Sequence, residues 1–322
     1  MNSQRGIALV TILLIVALGT VMAASMVVEQ QASIQATRGF LDRGQALQYA
    51  LGGEELARQV LYEDFEEDED TDHLLEPWAS DELHYEFEDG EVNLQITDLQ
   101  SLFNLNLLSQ SNPGQVRSRQ RLLNLVNAKG LDPAIVDRIK DWIDEDTGAE
   151  LAGAEDFDYL VFDPPYRTGN ALMADPSEIA LLGMEPEWFQ HLLPYLTALP
   201  DERSSLNINT ASPGILQSLA PGLSFEAAET LVQRRDEEEG YETVQLFLQA
   251  PELAGLNIQA DGLGVQSVFF EVRVIARYQD RFSYLTSILH RNSLDGSMRI
   301  LHRDFSKTFR VRPAPATEEE SG

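Results

Sequence analysis

An uncharged apolar stretch near the amino terminus sets the first constraint on this chain. Residues 7–28 read IALVTILLIVALGTVMAASMVV and contain no charged side chain over 22 positions. As a helix rising about 1.5 Å per residue, this stretch is long enough to cross the roughly 30 Å hydrocarbon core of a bilayer. Arg5 precedes it, and because positive charge favours the cytoplasmic side, the body that follows is expected on the outer side.

A cleaved signal peptide is the alternative interpretation, since Ala23, Ala24 and Ser25 offer the small side chains of a cleavage site. The sequence after Val28 favours a retained anchor, because it continues to about Leu61 without proline and is rich in Ala, Gln, Glu and Leu. We therefore expect one long helix, half in lipid and half packed on the body. The apolar positions expected to pack on the body are Ile34, Leu41, Leu47, Leu51, Leu56 and Val60.

Charge and cysteine usage exclude several classes of site. The 322 residues include 53 Asp and Glu against 23 Lys and Arg, and the formal net charge is -30. Such a field repels nucleic acid and anionic membrane surfaces. The chain has no cysteine, which excludes disulfides, thiolate metal sites and a cysteine nucleophile. Acidic groups are densest at residues 63–72, EDFEEDEDTD, which predict an exposed linker that ends the first helix.

The body reads as an α+β fold in which helices interrupt an antiparallel sheet. Alternating apolar and polar residues around Asp89 and Gly90 predict a hairpin with strands near 83–88 and 91–98. Helical spacing then takes over, and three β-rich runs return only between residues 268 and 305. We therefore expect a sheet that is split by a large helical insertion.

The residues in front of the apolar stretch resemble a known processing signal. Arg5 and Gly6, directly before an apolar helix, resemble the leader of type IV pilins and type II secretion pseudopilins. The resemblance implies that a prepilin peptidase cuts between Gly6 and Ile7 and methylates the new amino terminus. The anchor would then remain in inner-membrane lipid after the cut.

The fifth residue after that cut, Thr11, departs from the pattern of these families. Most pilin-like subunits carry a glutamate there, which pairs with the amino terminus of a neighbouring subunit. A carboxylate buried in an apolar bundle is costly unless it is paired. A subunit without it is expected to join poorly beneath another subunit and yet to sit on top, as the minor pseudopilin K does.

A second acidic segment, residues 141–163, carries nine carboxylates and no basic residue. Oxygen ligands at this density suit calcium. Read as an EF-hand, positions 1, 3 and 12 are Asp144, Asp146 and Glu155, but the turn glycine is displaced to Gly148, so a true EF-hand is not expected. A solvated acidic loop without a metal is the alternative.

Motifs around this segment resemble the type II secretion protein K family: WID at 142–144, GAED at 153–156 and PPYRTGN at 164–170. That family carries a helical insertion that binds calcium, so the resemblance implies calcium as the bound ion. The candidate ligands that it implies are Asp144, Asp146, Glu155 and Asp156.

LNINTA at residues 206–211, with SLAPGLS and GYETVQLF after it, resembles helix-hairpin-helix and SAM-like folds, some of which bind DNA. Between residues 201 and 250, only Arg203, Arg234 and Arg235 oppose nine acidic groups, whereas phosphate binding requires a basic patch. We expect a packing or protein-docking module and no nucleic-acid partner. The five histidines are scattered and no HExxH, GxSxG or P-loop pattern occurs, so no enzyme activity is expected.

The resemblance covers nearly the whole chain and implies a minor pseudopilin with a pilin-type helix on an antiparallel sheet. The implied organisation is a leader at 1–6, the transmembrane half of the helix at 7–28, the pilin-type helix, acidic linker and first hairpin at 29–98, an inserted calcium-binding helical module at 99–200, a second SAM-like or helix-hairpin-helix-like module at 201–262, the C-terminal strands at 263–310 and a disordered tail at 311–322.

The implied function is assembly of the type II secretion pseudopilus and export of folded proteins across the outer membrane. The body would lie in the periplasm, at the pseudopilus tip, with the minor pseudopilins I and J, and with H and the major pseudopilin as further partners. Two alternatives stay open. Large helical inserts argue against a minor pilin of a type IV pilus, and the absence of a nucleophile or base cluster argues against a membrane-tethered calcium-dependent hydrolase.

Overall fold

The computed structural model describes residues 4–68, 70–80 and 83–309. The predicted tail at 311–322 and the first three leader residues lie outside these ranges. The helices are α1 (Gln4–Glu67), α2 (Gln115–Ala128), α3 (Ala134–Ile143), α4 (Asp156–Tyr159), α5 (Pro186–Leu192), α6 (Pro213–Gln217), α7 (Phe225–Glu237) and α8 (Val244–Leu248). The strands are β1 (His84–Phe87), β2 (Gly90–Asp98), β3 (Phe103–Asn104), β4 (Leu196–Thr197), β5 (Leu206–Asn207), β6 (Leu263–Gly264), β7 (Phe269–Tyr278), β8 (Arg281–Arg291) and β9 (Met298–Asp304).

Helix α1 is continuous over 64 residues, which corresponds to a length of about 96 Å. It is long and apolar enough to cross a membrane. Every side chain from Leu9 to Val28 is exposed, so this half of the helix packs on nothing within the described residues. The prediction of one long helix is confirmed, although α1 ends at Glu67 and not at Leu61.

The second half of α1 packs on a five-stranded sheet with the order β1-β2-β7-β8-β9. All neighbouring strands are antiparallel, and Asp98 of β2 lies opposite Phe270 of β7. The chain between these two neighbouring strands is the helical insertion. The predicted first hairpin, the three C-terminal strands and the split of the sheet are therefore confirmed.

Small residues form much of the face of α1 that contacts the sheet, together with the fully buried Glu54 and Leu61. Ala46, Ala50 and Ala57 are fully buried. A side chain at Gly53 would place its Cβ only 2.6 Å from Val274 Cγ1 and 2.7 Å from Val92 Cγ1, so the backbone approaches the sheet where only glycine fits.

The predicted packing face of α1 is only partly correct. Leu51, Leu56 and Val60 are half-buried at the border of the core, as predicted for residues that pack on the body. The other three predicted positions, Ile34, Leu41 and Leu47, are exposed. Periodicity selected the large apolar residues, whereas close approach of a helix to a sheet selects small ones, and this is why the prediction was wrong there.

The acidic segment at residues 63–72 is only in part the exposed linker that its charge predicts. Asp64 and Phe65 are buried in the last turns of α1, and Asp72 is fully buried. Arg291, at the end of β8, donates to both carboxylate oxygens of Asp72, and its Nη1 lies 3.7 Å from Asp64 Oδ2. The prediction is confirmed in that α1 ends in this segment and most of its acidic side chains are exposed, namely Glu63, Glu66, Glu67, Asp68 and Asp70. It was wrong for Asp64 and Asp72, which are buried because Arg291, a cation more than 200 residues away in sequence, lies against them.

The inserted helices form two modules that share one apolar core. In the first module, β3 pairs in parallel with β4, and in the second module β5 pairs in parallel with β6. The second module therefore extends slightly past the predicted boundary at residue 262. The likeness of these modules to SAM-like or helix-hairpin-helix folds stays a prediction.

Candidate functional site: the acidic loop

The acidic loop, residues 144–163, follows a helix that is firmly seated in the module. On α3, the side chains of Ile135, Ile139 and Trp142 are buried in the shared core. The helix starts after Asp132, whose Oδ1 accepts a hydrogen bond from Ala134 N at 2.9 Å, and ends at Ile143. Asp144 then takes an extended conformation, so the chain turns out of the helix at the first carboxylate of the loop.

Three of the four predicted calcium ligands lie together. One carboxylate oxygen from each of Asp144, Asp146 and Glu155 lies within 4.8 Å of the others. Asp144 and Glu155 are buried, whereas Asp146 is exposed at the rim. We call these three residues the carboxylate cluster.

The fourth predicted ligand, Asp156, has its oxygens engaged elsewhere. Its Oδ2 accepts a hydrogen bond from Arg167 Nη1 at 2.8 Å. Its Oδ1 accepts from Thr168 N at 3.1 Å and from Thr168 Oγ1 at 2.9 Å. These bonds, with the positive charge of Arg167, lower the pKa of Asp156 against a small opposing effect of burial. Asp156 thus ties the start of α4 to the segment after the loop.

The carboxylate cluster carries more negative charge than its surroundings neutralise. Burial, and then the charges of Asp141, Asp144 and Asp146, raise the pKa of Glu155 to about 7. Burial and the charge of Asp146 also raise the pKa of Asp144. Hydrogen bonds from Gly148 N and from the Gln110 side chain lower the pKa of Asp146. Two of the three carboxyls are therefore destabilised in their ionised form.

The donor set fits a hard divalent cation. Among the described residues, the buried oxygens Asp144 Oδ1 and Glu155 Oε1 have no hydrogen-bond partner. The nearest base, Lys140, is bonded to Glu150, and its Nζ lies 4.0 Å from Asp144 Oδ2. Buried carboxylate oxygens without donors are costly, and a calcium ion takes such oxygens as ligands.

Two residues that shape the site were not among the predicted ligands. Gln110 donates from Nε2 to Asp146 Oδ2 at 2.9 Å and reaches Asp144 Oδ2 at 3.4 Å. Asp141 accepts from Glu150 N at 3.1 Å, and burial chiefly raises the pKa of Asp141 to about 6. Asp141 belongs to the acidic run, so the sequence contained a signal for it, whereas no local pattern points to Gln110.

The predicted processing and assembly residues all lie at the start of α1. Gly6 and Ile7 are in its first turns, and Thr11 is an exposed residue of the apolar half. Cleavage after Gly6 and a role for Thr11 in assembly stay predictions.

The arginines of the second module are engaged inside the protein. Arg234 Nη2 donates to Glu252 Oε1 at 3.0 Å. Arg235 is buried, donates to Ala211 O at 2.8 Å and bonds Asp236. Arg203 is exposed. Two of the three cations considered for phosphate binding are thus used in holding the module together.

A long apolar helix lying on an antiparallel sheet, with helices inserted between two strands, defines a pilin-like protein with a single membrane anchor. Two segments of the chain, residues 101–201 and 206–266, match the family described as type II secretion system (T2SS), protein K. The chain belongs to this family, and a minor pseudopilin role follows from that membership.

Curated relatives carry the same description along nearly their whole length. The type II secretion system protein K of Pseudomonas aeruginosa is 34% identical over 320 residues, which are 95% of this chain and 94% of the relative. That of Klebsiella pneumoniae is 37% identical over 87% of this chain and 92% of the relative. The resemblance stated from the sequence motifs is confirmed.

A solved structure shows the same fold. A chain of the GspK-GspI-GspJ complex from the type 2 secretion system of enterotoxigenic Escherichia coli is 28% identical, with a TM-score of 0.74. The match covers 85% of this chain and 100% of that chain. The predicted fold class, a pilin-type helix on an antiparallel sheet with inserted helices, is confirmed.

Proposed function

We propose that this chain is the tip subunit of the type II secretion pseudopilus and assembles there with the minor pseudopilins I and J. The observation that carries the proposal is the match to a chain solved in complex with GspI and GspJ, over the whole of that chain. The family match favours this function over the alternative of a minor pilin in a type IV pilus and over a tethered hydrolase.

The position of the helical modules supports a place at the tip. They are connected to the sheet at Asp98 of β2 and Phe270 of β7. This end of the sheet lies beside Asp64, near the end of α1. From Val28 to Asp64, α1 rises roughly 50 Å. The modules thus lie far from the membrane half of the helix. In that position they would block a further subunit from stacking above this one. Thr11 in place of a glutamate fits a subunit with none above it.

Processing of this chain would follow the pilin route. A prepilin peptidase would cut between Gly6 and Ile7 and methylate Ile7, and the body would lie in the periplasm with α1 in the inner membrane. Mass spectrometry of the amino-terminal peptide should show N-methyl isoleucine in a strain that has the peptidase. An unprocessed Met1 in that strain would contradict this route.

Calcium would be held by Asp144, Asp146 and Glu155, and Asp156 would brace the loop from outside. The ion would supply the positive charge that the two unpartnered buried oxygens lack. Its work would be structural, because it would fix the acidic loop against α3.

Co-purification tests the tip assignment. The full chain carries an affinity tag and is co-expressed with I-type and J-type pseudopilins, and membranes are extracted with detergent in calcium-containing buffer. We expect a complex of all three proteins, while the major pseudopilin in place of the I-type subunit serves as the matched control. Recovery of the tagged chain alone would contradict the proposal, and capture of type IV pilus subunits would favour the alternative.

A further inference from the structure

The acidic loop presents large apolar side chains to solvent. Phe157 is 85% exposed and Val161 is 80% exposed, and Leu151 on the same loop is fully exposed. Phe157 and Val161 are four residues apart, and the chain between them is helical through α4 and Leu160, so they share one side of a helical turn. Exposed apolar side chains that cluster in this way mark interaction sites more often than isolated ones do.

A column of aromatic rings holds this part of the loop in place. The ring of Phe162 stacks on Tyr166 with centroids 5.6 Å apart, and Tyr166 stacks on buried Tyr159 at 5.5 Å. Tyr159 meets the edge of buried Trp142 at 5.4 Å. The Tyr166 hydroxyl also donates to Leu181 O. Phe157 and Val161 are therefore displayed by a packed segment.

Carboxylates that form no ion pair share the loop with these apolar side chains, and of these Asp158 accepts a hydrogen bond from Glu155 N. Glu145, Asp158 and Asp163 are exposed, and none forms an ion pair within the described part of the chain. The two bases that contact the loop are already paired, Lys140 with Glu150 and Arg167 with Asp156. The loop therefore offers apolar surface bordered by negative charge.

We infer that Leu151, Phe157 and Val161, with Glu145, Asp158 and Asp163, form a docking surface for a segment of another protein that combines apolar side chains with lysine or arginine. Apolar side chains of the partner would cover Phe157 and Val161, and its cations would meet the carboxylates. An anionic membrane is disfavoured, because the same carboxylates repel acidic headgroups. We call these six residues the docking surface; this inference goes beyond the tip assignment and does not depend on it.

A synthetic peptide tests the docking surface. The full chain is reconstituted in phosphatidylcholine nanodiscs, and binding of a fluorescent amphipathic peptide of leucines and lysines is followed by anisotropy, with empty nanodiscs subtracted. We expect saturable binding by the wild type. The double variant Phe157→Ser/Val161→Ser should bind at least about tenfold more weakly, because it loses two large apolar contacts.

Matched variants distinguish binding at the docking surface from nonspecific binding of the peptide elsewhere on the protein. Val116 is 82% exposed and Leu294 is 88% exposed, and the double variant Val116→Ser/Leu294→Ser should bind like the wild type. Glu145→Gln/Asp163→Asn should weaken binding and its salt dependence, whereas Glu226→Gln/Glu229→Gln at exposed positions of α7 should not. Unchanged melting temperatures are expected for all four variants, since none of the changed side chains is buried.

Three results would overturn the inference. Equal affinity of the wild type and Phe157→Ser/Val161→Ser is the first, and equal binding of a peptide in which serine replaces every leucine is the second. The third is flotation of the nanodisc-held wild type, but not of the nanodisc-held Phe157/Val161 variant, with phosphatidylglycerol vesicles, because it would make the loop a lipid-binding element.

Discussion

The two helical modules are built on the same local device and differ in what they carry. Each begins with a short strand followed by an Asn-x-Asn motif, at Asn104 and Asn106 in the first module and at Asn207 and Asn209 in the second. In both, the first asparagine accepts from the backbone N–H of the second, at 3.1 Å and 2.9 Å. We call each motif an amide clamp.

The second asparagine of each clamp forms hydrogen bonds to backbone groups that are distant in sequence. Asn106 accepts from Met173 N and donates to Met173 O and Leu199 O. Asn209 accepts from Tyr241 N and donates to Tyr241 O. Buried amides that bond backbone on both sides fix where the returning chain lies.

The modules diverge in what surrounds the clamp. The first module has a longer excursion between its strands, residues 105–195 against 208–262, and the acidic loop lies in it. The second module is fixed to the pilin body, since Asn207 Nδ2 donates to Asp72 O and the Asp98 carboxylate accepts from Thr210 and Ser267. The second module is thus joined to the body by buried polar bonds, whereas the first carries the carboxylate cluster and meets the body through Leu199 and an exposed pair of Asp175 with Lys307.

Substitution of Arg291, which pairs with Asp72 where the second module is joined to the body, should lower the free energy of unfolding more than any other change proposed here. Arg291→Met would leave Asp72 as a buried carboxylate without a cation, which typically costs about 3–5 kcal/mol. We expect that loss in chemical unfolding of the full chain in detergent, followed by tryptophan fluorescence. Arg277→Met, which breaks a partly exposed pair with Glu91, is the matched control and should cost at most about 1 kcal/mol. Equal losses of stability in the two variants would contradict the expectation that the buried pair of Arg291 matters more than an exposed one.

Calcium should act on the first module alone. At a free concentration 100-fold above its dissociation constant, one bound ion would stabilise the folded chain by about 2.7 kcal/mol, seen as a higher melting temperature. Glu155→Gln should abolish this gain, while Glu145→Gln, an exposed position on the same loop, should keep it. Asp156→Asn should also keep a calcium response. No thermal shift in the wild type would contradict the site.

The two clamps allow a direct comparison. Asn106→Ala leaves three buried backbone groups without their partner and should cost about 2–3 kcal/mol, whereas Asn209→Ala leaves two and should cost about 1 kcal/mol less. Urea unfolding of both variants measures the difference. A costlier Asn209 variant would show that attachment to the body, and not the number of bonds, decides the cost.

The attachment should also respond to pH, through Asp64. Burial and the charges of Glu76 and Asp72 raise the pKa of Asp64 to about 8, against about 4 in an unfolded chain. The folded chain therefore holds a proton that the unfolded chain releases, so stability falls as pH rises from about 4 to 8. Asp64→Asn should remove about 1 kcal/mol of this loss per pH unit in urea titrations. Parallel pH profiles of variant and wild type would contradict the assignment.

Local sequence patterns were sufficient to predict the main helix and strands and part of the candidate site. Hydrophobic periodicity located α1, the hairpin at β1 and β2 and the three C-terminal strands, because each depends on residues that are neighbours in sequence. The acidic run gave Asp144, Asp146 and Glu155, which the fold brings together.

Contacts between residues that are distant in sequence could not be predicted from those local patterns. Arg291 pairs with Asp72 from the end of strand β8, and Gln110 reaches Asp146 from a separate loop. The two clamps are visible as Asn-x-Asn in the sequence, yet their partners Met173 and Tyr241 follow only from the folded chain. Asp156 resembles its acidic neighbours in composition, and only its bonds to Arg167 and Thr168 set it apart.

The insertion between β2 and β7 has a mechanical consequence. Its two chain ends leave the sheet side by side, at Asp98 and Phe270, so a pull on the modules enters the sheet through two neighbouring strands at once. Because both strands are loaded in the same direction, the force passes as shear to their outer neighbours, through the hydrogen-bond ladders of β2 with β1 and of β7 with β8, and does not peel one strand away. Helix α1 lies across the same strands, with Gly53 against Val274 and Val92, and takes up the force along its length. Modules that are pulled or pushed would stay attached to the body through this joint.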